Sequence, residues 1–105
     1  MTAPLRRVSP DYAEQVRLEI AALSLPRIRR MIADNAIHLR ESHGMTQQAL
    51  ADLTVMPRKT ISRLERAAHE PRISTLVAFS FAMRVPLTAF LSGLPAMPPD
   101  DPQHL

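Results

Sequence analysis

The sequence predicts an all-α fold. Three observations carry this: apolar residues recur every three or four positions and nowhere alternate strictly; helix-starting and helix-ending residues bracket those segments; and between Thr46 and Arg66 two short amphipathic segments follow one another across three residues.

Taken in order, Ser9-Pro10-Asp11 is a helix start, and Tyr12, Val16, Ile20 and Leu23 then share one face, so a first helix is expected from about Pro10 to Leu23. Leu25-Pro26 breaks it, because the residue before proline avoids helical backbone. A second helix is expected from about Pro26 to His43, with Ile28, Ile32, Ala36 and Leu39 inward. Gly44 closes it in the left-handed cap conformation that suits glycine. Thr46 caps a third helix, Gln47 to Leu53, in which Leu50 faces the core and Ala51 lets a second helix cross closely.

Pro57 suits the first turn of a fourth helix, where its missing amide needs no partner. Met56, Ile61 and Leu64 form the apolar side there, and Arg58, Lys59, Ser62, Arg63 and Arg66 the other. Ser74 is the expected cap of a fifth helix reaching about Met83, with Leu76, Phe79 and Ala82 or Met83 inward. A short sixth runs from about Leu87 to Leu91 and stops at Gly93. The remainder, rich in proline and without periodicity, is expected to be a mobile tail.

Composition narrows the function classes. With 105 residues there is room for one modest core. The chain has no cysteine, hence no disulfide or thiolate metal site, and suits a reducing compartment. No apolar run reaches membrane-spanning length and the first arginines precede no apolar leader, so a soluble, cytoplasmic protein is expected. His38, His43, His69 and His104 are too dispersed for a metal site, and Asp34, Glu41, Asp52 and Glu70 form no dyad. Six methionines fit core filling better than a ligand stripe. Two glycines cannot build a phosphate-cradling loop, and no nucleophile constellation exists, so no enzyme, cofactor or metal is expected.

Charge is more informative by position than by total. The net charge of +3 divides into 0 for residues 1–25, +4 for residues 26–72 and −1 for residues 73–105. All the excess positive charge falls on the segment holding the paired short helices.

Residues 32 to 92 resemble the helix-turn-helix domain of the phage-repressor (Cro/cI-like, XRE) family. The likeness runs through an apolar first helix ending LRESHGMTQ, the TQ-x-x-LA opening, TISRLER, and P-x-I-x-T-L-x-x-F-x-x-A-M-x-V-x-L, with apolar positions in register throughout. It implies a lambda-repressor-like five-helix domain over residues 26–92, preceded by an extension with one extra helix (1–25) and followed by the tail (93–105). In such a motif the second short helix enters the major groove of double-stranded DNA. Arg58, Lys59, Ser62 and Arg63 are then the expected base readers, with guanine the natural partner of an arginine or lysine. Thr46, Gln47 and Arg66 are expected at phosphate, so changing Gln47 should weaken binding evenly across sequences. Lys59 and Arg63 are open between base and phosphate, and Thr46 between phosphate and a plain helix cap.

The resemblance also implies a partly buried bridge between Arg40 and Glu65. Two departures stand out. Val55 replaces the usual turn glycine, so the turn is either reshaped or strained, and Arg66-Ala67-Ala68 lacks a glycine after the reading helix. Ala78 and Phe81 are apolar where polar residues are usual, and Met31 and Ile37 add to the excess; the N-terminal helix, a second subunit or another protein are the possible covers. A homodimer interface is expected to use Ala78, Phe81, Leu87 and Phe90. The leading expectation is a homodimeric repressor on a pseudo-palindromic operator. The alternatives are an antitoxin whose N-terminal helix or tail covers a toxin, and a restriction-modification controller.

Overall fold

The computed structural model describes residues 7–94. These hold five α-helices, α1 (Pro10–Ala22), α2 (Leu25–Ser42), α3 (Gln47–Thr54), α4 (Arg58–Glu65) and α5 (Ile73–Met83), then one 3-10 stretch, Leu87–Leu91, and no strand. The all-α class is as expected. From residue 95 onward, the expected tail lies outside the described residues, as does His104.

Residues 25–94 form one compact unit, and α1 belongs to another. Taken by itself, α1 begins where Ser9 Oγ accepts from the Tyr12 amide at 3.2 Å, with Pro10 in its first turn. None of its residues is buried, and Leu18 and Ile20 are exposed.

In the 25–94 unit the helices close around Ile32, Ala36, Leu50, Ala51, Ile61, Leu64, Leu76, Phe79, Met83 and Phe90. Small residues decide how closely the helices approach: Ala36 on α2 and Ala51 on α3 are each 1% exposed. Phe79 and Phe90 meet with ring centroids 6.4 Å apart in a tilted arrangement, each contributing about 1.5–3 kcal/mol through burial. Met31, Met45 and Met56 pack against the edge of this core, and Met83 lies inside it, which is the filler role.

Three details differ from the sequence-based expectation. Pro57 precedes α4 instead of occupying its first turn: with ψ 139 it is extended, and its carbonyl accepts from the Thr60 amide at 2.9 Å. Ser74 does not cap α5, because the extended backbone after Pro71 ends two residues earlier. Arg72 is the cap, and its carbonyl takes the Thr75 and Leu76 amides. The last element is a 3-10 stretch; the Phe90 carbonyl within it and the Ser92 carbonyl just after it accept from Asn35 Nδ2 at 2.8 and 2.9 Å, tying it to α2.

Helices α2 to α5 end alike. A left-handed residue follows each, and the next amide reaches back five residues: Met45 to Arg40, Met56 to Ala51, Ala68 to Arg63 and Val85 to Ser80, all at 3.0–3.1 Å. Only the first of these turns has glycine, Gly44 at φ 67; the others use Val55 (φ 54), Ala67 (φ 54) and Arg84 (φ 55). Thus the turn between α3 and α4 keeps its shape and carries the strain. Val55 is 92% exposed, so its side chain offsets none of that strain by packing. Val55→Gly is expected to stabilise the protein by about 1 kcal/mol, since relief of a left-handed β-branched residue outweighs glycine's extra unfolded-state freedom. The check is the urea midpoint at constant m-value; a lower midpoint would show the turn to be unstrained.

Candidate nucleic-acid interface

Helix α3 crosses α4 because each offers a short apolar strip, Leu50 and Ala51 against Ile61 and Leu64, all at most 4% exposed. Thr46 Oγ1 accepts from the Ala49 amide at 3.0 Å, so its hydroxyl serves as the cap of α3. Burying Ile61, Leu64 and Glu65 turns the other side of α4 outward. Lys59 and Arg63, with Arg66 just past the helix end, are exposed there, Arg58 is exposed in the first turn and Ser62 is half-exposed at the flank. Lys59, Arg63 and Arg66 recur at helical spacing on the side opposite the core, while Arg58 lies seven residues before Glu65 and so above it on the same side.

Beneath Arg58 is a chain of hydrogen bonds. Arg40 Nε donates to Glu65 Oε2 at 2.7 Å and Arg40 Nη2 to Oε1 at 2.9 Å, a two-pronged contact, while Nη1 donates to the Met45 carbonyl at 2.7 Å. The Glu65 side chain is buried, 5% exposed, and that of Arg40 is mostly covered at 11%. Arg40 thereby joins α2, the turn after it and α4. The bond with Glu65 raises the Arg40 guanidinium above its ordinary value despite burial. With the folded value raised, its contribution is complete below the unfolded value and is lost only as pH climbs through the folded one in strong alkali.

Gln47 Nε2 donates to Glu65 Oε1 at 3.1 Å, and Arg58 Nη1 donates to Gln47 Oε1 at 3.4 Å. Sequence reading assigned Gln47 to phosphate without seeing these partners, since neither residue is its neighbour on one helix. It also missed Arg30, whose Nη2 donates to the Glu65 carbonyl at 2.8 Å while its Nε pairs with Asp34 at 2.9 Å. A cation there suits the C-terminal end of α4. The Arg30–Asp34 spacing was a visible signal; the contact with α4 was not.

Of the expected dimer residues, Phe81 is 69% exposed and Ala78 and Leu87 are half-buried. Phe90 is fully buried against Phe79 and is removed from that set: the 3-10 stretch turns it into the core. Instead, Ile73 and Val77 join Phe81 on one outward strip of α5, a pattern readable in the sequence as i, i+4, i+8. Among the described residues no group of three His, Asp or Glu side chains could hold a metal, and no helix is long and apolar enough to cross a membrane.

Two short helices crossed at a tight turn, the second with a cationic outer side, define a helix-turn-helix protein. The helix-turn-helix family HTH_3 matches residues 38–90, and the chain belongs to that family. Among curated proteins, none matches. A crystal structure of an HTH_3 family transcriptional regulator from Vibrio cholerae is similar at a TM-score of 0.60 and 27% identity, covering 64% of this chain and 38% of that one. The chain thus spans well under half of that regulator's length. A hypothetical transcription factor NHTF from Neisseria shares the fold at a TM-score of 0.59 and 23% identity, over 66% of this chain and 79% of that one.

Proposed function

We propose that the protein is a sequence-specific double-stranded DNA-binding regulator of transcription in the cytoplasm and not an enzyme, acting as a homodimeric repressor on a pseudo-palindromic operator. One observation carries this reading: α4 and the residue that caps it set four exposed cations, Arg58, Lys59, Arg63 and Arg66, on a helix whose other side is locked into the core. Membership of the helix-turn-helix family and the likeness to a solved transcriptional regulator support it. In the major groove Arg58, Lys59, Ser62 and Arg63 read base edges, with guanine favoured. Arg66 and the free amides at the start of α3, beside Thr46 and Gln47, hold phosphate.

Selection of duplexes from a random library by the purified protein tests this. It should enrich one half-site, repeated with two-fold symmetry about one helical turn apart or a multiple of it. Failure to enrich any site would refute the reading.

The second subunit is assigned to α5. Its sequence carries no charged residue, and its outward strip of Ile73, Val77 and Phe81 meets a copy of itself without like-charge repulsion. Three side chains fall short of the roughly 800 Å² per partner of a standard interface, so the dimer is weak in solution and assembles on the operator. Phe81→Lys should leave half-site affinity unchanged and weaken full-operator binding about 10- to 100-fold. Fluorescence anisotropy on both duplexes decides; equal effects on the two would exclude this face.

A second reading, an antitoxin, finds support in α1, which buries no residue and exposes Leu18 and Ile20. Co-purification with a small stoichiometric partner that α1 variants release would favour it.

A further inference from the structure

Three of the nine basic residues between positions 26 and 72 are Arg27, Arg29 and Arg30, crowded into the first two turns of α2, where the first turn holds no acidic residue. Helix stability does not ask for them there. The N-terminal end of a helix carries a partial positive charge, and cations beside it are unfavourable. Arg29 is misplaced in a second way. It stands four and seven residues before Ala33 and Ala36, each 1% exposed, so its stem follows the strip that meets the core, and its Nε is buried with no hydrogen-bond partner among the described residues. A methionine would fill that place without an orphaned donor. What only arginine supplies is the charged head beyond Nε, which a half-buried side chain of this length carries out to the surface.

Where these arginines lie indicates the anion they suit. Arg30 Nη2 donates to the Glu65 carbonyl at 2.8 Å, which sets the start of α2 against the end of α4, one residue from the exposed Arg66. The cationic side of α4 thus continues onto α2. Asp34, paired with Arg30 at 2.9 Å, is the one acidic residue of α2 before Glu41, and it offsets one charge of the three.

We propose that Arg27 and Arg29 hold phosphates of the DNA backbone alongside the half-site, extending the interface from α4 onto the first two turns of α2. That stretch precedes residues 38–90, which the helix-turn-helix family matches. The proposal rests on the reading of α4 as the helix that enters the groove. Such contacts carry no base information: they raise affinity for all sequences, through release of the counterions condensed on the phosphates.

The test compares the full chain with Arg27→Gln, Arg29→Met and their combination on the selected operator over a range of salt concentrations. Arg30 stays in place, so the end of α4 keeps its tether. The double variant should bind every duplex of a single-base-change panel more weakly by one common factor, about tenfold at low salt, and should reduce the slope of log K against log salt by about 0.9 for each phosphate released. Arg29→Met should unfold at the same urea concentration as the parent or a higher one, since it removes the orphaned donor. Single neutral methylphosphonate linkages, placed in turn along the operator, locate the contacts: those that weaken the parent and leave the double variant unaffected mark the phosphates held.

An unchanged slope in the double variant, with Arg66→Ala lowering it as a control, overturns the proposal and removes the start of α2 from the interface while α4 stays in it. A loss confined to particular base pairs overturns it as well, because the arginines would then act through the placement of α4. If the parent protein enriches no duplex, the regulator reading fails and the extension fails with it.

Discussion

Glu65→Ala is expected to lower the unfolding free energy by about 3–5 kcal/mol, a large share of the stability of a small domain. The cause is what remains. Arg40, 11% exposed, would keep its charge in a mostly buried site with the Met45 carbonyl and, at 3.8 Å, the exposed Glu41 carboxylate as its remaining partners, and Gln47 would lose its acceptor. A buried cation without its anion is far more costly than the missing bond is strong. The paired change Arg40→Met with Glu65→Leu should therefore stay within about 2 kcal/mol of the parent, since it removes both charges and fills the space. Urea unfolding followed by circular dichroism measures both; a single variant as stable as the double would contradict this account.

The second large effect concerns reading itself. Arg58→Ala and Arg63→Ala should each remove about 1–3 kcal/mol of discrimination at their own base pairs. Five residues separate them along α4, so they address different bases and their losses should nearly add. Arg66→Ala offers the contrast: it should weaken all sequences alike and reduce the dependence of log K on log salt by about one unit. Repeating the library selection with the double variant should return a relaxed motif. Recovery of the parental motif would move base reading away from these two arginines.

Much of this was legible along the chain because it depends on neighbours three or four residues apart. The helical periods, Gly44 as a left-handed cap, Thr46 as a helix start and Val55 as a misfit in a tight turn all follow from local backbone physics. Arg84 takes the same left-handed conformation, and nothing in its sequence neighbourhood marks a turn of that shape. Phe90 is buried and not on the surface, because five residues of regular helix and five of 3-10 helix point their side chains differently.

By itself, the order of residues determined the all-α class, the two crossed helices and the cationic side of α4, since amphipathic spacing decides which side of a helix meets the core before any partner is known. The tertiary structure alone decided which polar groups meet across helices: Arg30 at the end of α4, Arg40 on Glu65, Gln47 between Glu65 and Arg58. Those bonds join residues 11 to 35 apart in the chain. They depend on directions and distances of a few tenths of an ångström, which exist only once Leu50, Ile61, Phe79 and their neighbours have packed and brought the helices to one fixed separation.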